Sequence, residues 1–147
     1  MMDLRELYQE VILDHNRRPR NFGDLGDANR SAEGYNPLCG DRLTVQVRVV
    51  DGRVEEIAFV GDGFAISKAS ASLMTESVKG RTEEEVKALR VAFQDLVKGK
   101  VEPDPDRHGK LAVLAGVSSF PMRVKCATLA WHTVGLGTGL LSNETER

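Results

Sequence analysis

Apolar and polar residues alternate strictly from residue 43 to residue 49, which places every second side chain on the same face of a strand. The pair Asp51-Gly52 follows, and this pair favours a tight hairpin turn with positive φ. A return strand is predicted over about residues 54–60, and residues 28–35 are expected to form a short edge strand. Together these segments predict a small antiparallel sheet of about three strands with one buried face.

Helical periodicity comes before and after this sheet. Apolar residues recur at helical spacing over residues 3–14, which predicts an amphipathic first helix. Small residues from position 65 onward predict a helix that packs close to another backbone and ends at Gly80. Thr82 and Glu85 form a capping box for the next helix, which Gly99 is expected to end. The apolar stripe of that helix consists of Val86, Leu89, Phe93, Leu96 and Val97.

The last third of the chain is also expected to be helical. Residues 103–106 predict a stiff loop, and residues 111–114 a short helix. A final helix is expected to be capped by Ser118 or Ser119 and to carry Pro121 in its first turn. One helix, then a sheet, then several helices packed on one side of it is an α+β arrangement, because strands and helices do not alternate.

Composition indicates a soluble globular protein, with 41% hydrophobic and 29% charged residues in a chain of 147. Residues 1–141 are expected to form a single domain, and residues 142–147 a disordered tail. The net charge of −2 argues against nucleic-acid binding. The absence of a long apolar run argues against a membrane protein, and acidic residues near the beginning argue against a secretion signal. We therefore expect a cytoplasmic protein whose cysteines are thiols or metal ligands.

The two cysteines lie in settings that suit metal chemistry. Cys39 and Asp41 are two positions apart in a segment entering a strand, so both side chains can point the same way. Thiolate and carboxylate are both zinc ligands. Cys126 follows Arg123 and Lys125 in the first turns of a helix, where positive charge favours the thiolate. Taken alone, the Cys39/Asp41 pair would more often be an ordinary buried cysteine beside a surface aspartate, and Cys126 could equally be a buried apolar residue.

Three segments of the chain resemble the U-type iron–sulfur cluster assembly proteins, the IscU/SufU family, which includes the N-terminal domain of NifU. Residues 36–41 read Asn-Pro-Leu-Cys-Gly-Asp, residues 61–67 read Gly-Asp-Gly-Phe-Ala-Ile-Ser, and residues 123–131 read Arg-Val-Lys-Cys-Ala-Thr-Leu-Ala-Trp. Lys125 replaces the His that precedes the last Cys in Isc-type members. The long spacing from Phe64 to Cys126 is also similar to the SufU branch.

This resemblance implies a fold, a cofactor and partners. It implies a small sheet with helices on one side and a zinc site with the ligand set Cys, Asp, Cys, Cys. By position, Cys39 would accept persulfide sulfur from a PLP-dependent cysteine desulfurase of the SufS type, and Asp41 and Cys126 would be the remaining ligands. Downstream Suf cluster-assembly proteins would be further partners. Phe64 stands where the family has its third cysteine ligand.

Phe64 cannot bind a metal, so the chain offers three donors where a closed zinc site has four. We therefore expect weakened zinc binding, and a stable iron–sulfur cluster on a single chain is less expected still. The three histidines do not obviously replace the missing ligand. His132 should face away from Cys126 on their common helix, and His15 should hold the first helix in place, whereas the reach of His108 is open.

Several alternatives remain at this point. Lys125, Arg123 and Lys68 could contact an anionic persulfide or an acidic partner, or could be ordinary solvated charges. A disulfide between Cys39 and Cys126 would require the fold to bring them together. The protein could also be a metal-free interaction module that docks on a desulfurase, with Phe64 as additional core.

Overall fold

The structure, a computed structural model, describes residues 4–37, 40–63 and 65–134. These residues form a three-stranded antiparallel sheet preceded by one helix and followed by several, which confirms the α+β prediction. None of the described helices is long and apolar enough to cross a bilayer. The elements in chain order are α1 (Leu4–Arg17), β1 (Arg30–Asn36), β2 (Asp41–Val50), β3 (Arg53–Asp62), α2 (Ala65–Val78), α3 (Glu83–Val97), α4 (Pro105–His108), a 3₁₀ helix (Gly109–Val117) and α5 (Pro121–His132).

The sheet has the order β1-β2-β3, and both pairings are antiparallel. Asp51 and Gly52 form the predicted turn, with φ of 53° and 74°. A bulge between Arg48 and Val49 shifts the register, so Val49 is only half-buried although the alternation placed it on the buried face. The buried face of β2 is formed by Leu43, Val45 and Val47.

Helices α2 and α5 cover this face, with α2 against β3 and α5 against β1 and β2. The small residues of α2 allow the predicted close approach, because Ser70 Oγ donates a hydrogen bond to the Ala127 carbonyl of α5 at 2.5 Å. Ser72 Oγ lies 2.7 Å from His15 Nδ1 and accepts from the Arg20 N–H at 2.8 Å. His15 therefore holds α1 against α2, as expected.

The capping box at the start of α3 is confirmed. Thr82 Oγ1 accepts from the Glu85 N–H at 3.1 Å, and the Glu85 carboxylate accepts from the Thr82 N–H at 2.9 Å. This second bond lowers the pKa of Glu85, because it stabilises the charged form. Gly80 and Gly99 both have positive φ at the ends of α2 and α3, where the sequence predicted breaks.

Three expectations for the last third are corrected, and the first two concern α4 and the 3₁₀ helix. Residues 103–106 are not simply a loop, because Pro105–His108 forms the single turn α4, with the Asp106 N–H bonded to Asp104 Oδ1 at 3.0 Å. The short helix predicted over residues 111–114 is a longer 3₁₀ helix.

The predicted cap of the last helix is wrong. Pro121 does lie in the first turn of α5, but the N-cap residue is Phe120, which makes no side-chain cap hydrogen bond. Ser118 and Ser119 lie in the turn that ends the 3₁₀ helix, where the Phe120 N–H donates to the Val117 carbonyl at 2.8 Å. An N-cap residue has extended rather than helical backbone, and here that residue is Phe120, which comes directly after Ser119. The predicted tail over residues 142–147 lies outside the described residues.

Candidate functional site

Three backbone segments meet at one end of the sheet: the β1–β2 connection, the β3–α2 connection and the early part of α5. Gly40 has φ of 75°, and its N–H donates to the Asn36 carbonyl at 2.8 Å, which turns the chain from β1 into β2. Asp41 is the first residue of β2 and pairs with Asn36. Its side chain is fully buried, with 0% exposed. A carboxylate in this position needs specific partners.

Ser67, in the first turn of α2, joins the three segments. Its hydroxyl lies 2.6 Å from Asp41 Oδ2 and 3.1 Å from the Cys126 carbonyl oxygen. The shorter contact is the donated hydrogen bond to the carboxylate, since a hydroxyl has one proton to donate. The same side chain therefore orients Asp41 and lies against the backbone of Cys126. Ser67 therefore links the Asp41 carboxylate to the backbone turn of α5 that carries Cys126, a second predicted ligand.

Gly63, at the end of the β3–α2 connection, makes room for the carboxylate. A Cβ atom at this position would lie 2.9 Å from Asp41 Cγ and 3.1 Å from Asp41 Cα, and closer still to Oδ1. Its φ of 156° is also a backbone angle that residues other than glycine rarely adopt. The glycine is therefore required by the position of Asp41, which the sequence alone did not indicate.

Cys126 lies in the second turn of α5, where its side chain is 5% exposed. Arg123, one turn earlier, is exposed and stacks its guanidinium 4.4 Å from the centre of the Phe120 ring. Lys125 is exposed. Lys68 is half-buried, with its ammonium 5.0 Å from the centre of the Phe22 ring. Two of the three predicted contact cations thus already interact with aromatic rings.

Cys39 and Phe64 lie outside the described residues. Among the residues that the structure describes, no three His, Cys, Asp or Glu side chains form a group that could hold a metal ion. The two described donors nevertheless fit zinc in type, because they are a thiol and a buried carboxylate held by a hydroxyl. His15 is engaged with Ser72, and His108 accepts from the Asp104 N–H at 3.0 Å. These contacts place neither imidazole beside Asp41.

The sequence alone did not indicate that Ser67 and Gly63 lie beside Asp41. Both residues lie in the segment 61–67 that carries the family resemblance, so the signal was present, but no local rule connects them to Asp41. Ser67 is 26 positions from Asp41 and 59 from Cys126, and only the folded chain brings them together.

Comparisons with known proteins identify the family of the chain. A family model described as the NifU-like N terminal domain matches residues 7–127. The iron-sulfur cluster assembly scaffold protein IscU of Streptococcus pyogenes serotype M1 is 41% identical over 131 residues, which are 89% of this chain and 82% of that protein. The zinc-dependent sulfurtransferase SufU of Bacillus subtilis (strain 168) is 41% identical over 135 residues, 92% of this chain and 91% of that protein.

A solved structure has the same fold. The SufU protein of Fervidobacterium islandicum AW-1 superimposes with a TM-score of 0.82 at 29% identity, covering 91% of this chain and 98% of that one. The matches extend over most of the chain and include the segments around Asp41, Ser67 and Cys126. The chain therefore belongs to the NifU-like N-terminal domain family, whose members include the IscU and SufU proteins.

Proposed function

We propose that this protein works in iron–sulfur cluster assembly as a SufU-like, zinc-dependent acceptor of persulfide sulfur from a cysteine desulfurase, or as a cluster scaffold. The observation that supports the proposal is the Ser67 hydroxyl, which orients the buried Asp41 carboxylate beside the Cys126 turn of α5. Relatives named as a scaffold and as a sulfurtransferase, each 41% identical, support the same class of activity. The desulfurase would be a SufS-like enzyme of the cytoplasm.

In the proposed reaction Cys39 is the acceptor thiol. Its thiolate attacks the terminal sulfur of the persulfide on the desulfurase cysteine, so a new S–S bond forms on Cys39 while the S–S bond on the desulfurase breaks. The desulfurase cysteine leaves as a thiolate and no net oxidation occurs. The persulfide on Cys39 is the product that later cluster-assembly proteins would consume.

Asp41 and Cys126 are the proposed supporting ligands. A bound zinc ion would keep the thiols that ligate it in the thiolate form. The chain's own contribution is to hold the Asp41 carboxylate in one orientation through Ser67, which limits the rearrangement needed for binding. Phe64 removes one thiolate from the family's ligand set, so we expect weaker zinc binding than a four-ligand site provides.

A second candidate is a metal-free module that docks on a desulfurase without accepting sulfur. Phe64 is the observation that favours it, because a phenyl ring supplies apolar surface and no metal donor. The two candidates differ in zinc content and in whether Cys39 becomes persulfidated.

The experiment measures zinc per chain in protein purified without chelator, together with desulfurase-dependent persulfidation of Cys39 followed by mass spectrometry. The proposal expects bound zinc that Asp41→Ala and Cys126→Ser both lower, and persulfidation that Cys39→Ser abolishes. Phe64→Cys should bind zinc more tightly by at least the roughly tenfold to hundredfold that a ligand-orienting partner contributes, because it restores a direct thiolate ligand.

Asp62→Ala is the matched control, because Asp62 is an exposed carboxylate at the end of the neighbouring strand. It should leave zinc content and persulfidation unchanged. If the purified protein holds no zinc and its Cys39 is not persulfidated, the metal-free docking module replaces this proposal. An unchanged zinc affinity in Phe64→Cys would show that the ligand assignment is wrong.

A further inference from the structure

The turn that leads into α5 is exposed and apolar. Residues 118–123 are all exposed, and they include three successive apolar residues, Phe120, Pro121 and Met122. Phe120 and Met122 keep 47% and 45% of their surface accessible to solvent. A single exposed apolar side chain needs no explanation, whereas a group of them indicates a contact site for another molecule. Residues 118–125 are called the α5-start segment below.

The two cations of this segment have no carboxylate partner. Arg123 and Lys125 are exposed, and none of the salt bridges among the described residues involves either of them. Arg123 lies over the Phe120 ring instead, 4.4 Å from its centre. Stacking through the face of the guanidinium leaves the N–H groups at its edge available to a carboxylate. An apolar side chain and a cation with free donors are therefore held next to each other.

A second pair of cations lies beside the α5-start segment. A Cβ at Gly99 would be 3.3 Å from Ser118 Cβ, so the turn after α3 contacts the turn before α5. Lys98 and Lys100 flank this glycine, and both are exposed. Neither forms a salt bridge within the part of the chain that the structure describes. Although the chain has a net charge of −2, cations exceed acids here by four to two, even when the flanking carboxylates at positions 95 and 102 are counted.

The α5-start segment borders the candidate site. Met122 and Arg123 precede Cys126 by four and three residues, so they lie one turn before it on the same side of α5. Side chains of a helix lean towards its N-terminus, so the Cys126 side chain leans towards this turn. Cys126 is buried, whereas Met122 is exposed. A molecule that contacts Met122 therefore lies over the side of α5 that carries this proposed ligand.

We propose that the cysteine desulfurase docks on the α5-start segment and the two lysines beside it, through an acidic segment that also carries an apolar side chain. The choice of partner rests on the function proposed above, in which a desulfurase delivers sulfur to this end of the molecule. Carboxylates of the partner pair with the four cations, and its apolar side chain packs against Phe120 and Met122. Opposite charges speed association and select the partner, while the apolar contact supplies affinity.

The test measures the affinity of the full-length protein for a SufS-type desulfurase by calorimetry, without free cysteine, so that no persulfide forms. Arg123→Glu and Lys125→Glu should each weaken binding about tenfold at low salt, because each reverses a contact charge. This effect should shrink at high salt, which screens exposed charges. Phe120→Ala should weaken binding about tenfold at both salt concentrations, as truncation of an anchoring side chain does.

Lys87→Glu and Val91→Ala are the controls, because both residues are exposed on α3 and lie eleven and seven positions before Lys98, about 16 Å and 10 Å along the helix axis. Both variants should bind as the unmodified protein does. Equal weakening by Lys87→Glu would show attraction to the overall charge and would overturn the proposal. A loss confined to the charge variants, with Phe120→Ala unchanged, would overturn it as well, and so would a desulfurase that does not bind the unmodified protein.

Persulfidation of Cys39, measured in parallel with cysteine added, separates the docking surface from the proposed function. If the surface variants weaken binding but Cys39 of the unmodified protein is never persulfidated, the docking surface stands and the sulfur-acceptor function fails. If Cys39 is persulfidated and the surface variants bind as tightly as the unmodified protein, the acceptor function stands and the docking surface is overturned.

Discussion

Ser67→Ala tests the bond that organises the candidate site. The substitution removes one oxygen atom from a residue that is 1% exposed and leaves the helix geometry of α2 intact, since alanine is the best helix former. What is lost is the 2.6 Å hydrogen bond to Asp41 Oδ2 and the 3.1 Å contact with the Cys126 carbonyl. The buried carboxylate then has one donor fewer.

The expected loss of stability is set by the charge of the acceptor. A hydrogen bond to a charged group contributes about 1.5–3 kcal/mol, against about 0.5–1.5 kcal/mol for a neutral pair. In a chain of this size that loss lowers Tm by roughly 3–12 °C. Zinc affinity should fall about tenfold to a hundredfold, as it does when the group that orients a ligand is removed.

The assay is urea unfolding of the metal-free protein, followed by zinc titration of the folded protein. Ser70→Ala is the matched control, because Ser70 is buried on the same helix and also donates to a carbonyl of α5, that of Ala127 at 2.5 Å. Its acceptor is neutral, so it should cost about 1 kcal/mol and leave zinc affinity unchanged. In an Asp41→Asn background the cost of Ser67→Ala should fall to a similar value. The reasoning would be refuted if Ser67→Ala and Ser70→Ala lost equal free energy of unfolding and equal zinc affinity, and if the cost of Ser67→Ala were the same in the Asp41→Asn background.

Three further predictions concern other contacts. Gly63→Ala should destabilise the protein by about 1–3 kcal/mol and weaken zinc binding, because the added Cβ would lie 2.9 Å from Asp41 Cγ, as urea unfolding and zinc titration would measure. Thr82→Ala should cost about 1 kcal/mol in urea unfolding, since it removes the side-chain acceptor for the Glu85 N–H. Burial lowers the pKa of His15 from 6.5, with a further contribution from a neighbouring arginine, so the unfolded chain binds the proton more readily than the folded one. The free energy of unfolding should therefore fall as the pH drops below about 6.5 towards the lower folded-state pKa, and His15→Gln should remove this part of the pH dependence.

Each of these has a control within the chain. Gly26→Ala should have little effect on the fold, since nothing lies within 4 Å of a Cβ at that position. Thr82→Ser keeps the acceptor and should recover most of the loss. Asn16→Gln changes a non-titrating residue next to His15 on α1 and should leave the pH dependence in place, and a profile equally flattened by Asn16→Gln would contradict the assignment to His15. A Gly63→Ala protein with unchanged stability would show that Asp41 does not occupy the described position.

The parts of the fold that could be predicted are those decided by neighbouring residues. The alternation in β2, the Asp51-Gly52 turn and the Thr82–Glu85 capping box each depend on contacts within a few positions, and all three are present. The bulge that takes Val49 away from the buried face is not encoded in the alternation itself. Such a shift depends on how the strand pairs with its neighbour.

The parts that could not be predicted depend on distant segments. Arg90 is 1% exposed although its residue type is almost always at the surface, and only tertiary packing decides this. The cap of α5 was misplaced because the preceding 3₁₀ helix and its turn take up both serines. At the candidate site the ligand types could be named from the resemblance, whereas the role of Ser67 required the fold.

Because Ser67 and Ser70 of α2 donate to or lie against carbonyls of α5, this end of the molecule is completed only after the last helix has been synthesised. Asp41 and Ser67 are synthesised well before Cys126, which is 59 positions after the serine that lies against it. At ordinary rates of translation this interval lasts roughly 3–12 s. During that time the carboxylate and the face of the sheet that α5 covers are without their last helix. A chaperone that holds the nascent chain would therefore meet this uncovered end of the sheet, and a pause in translation before residue 121 would keep it uncovered for longer.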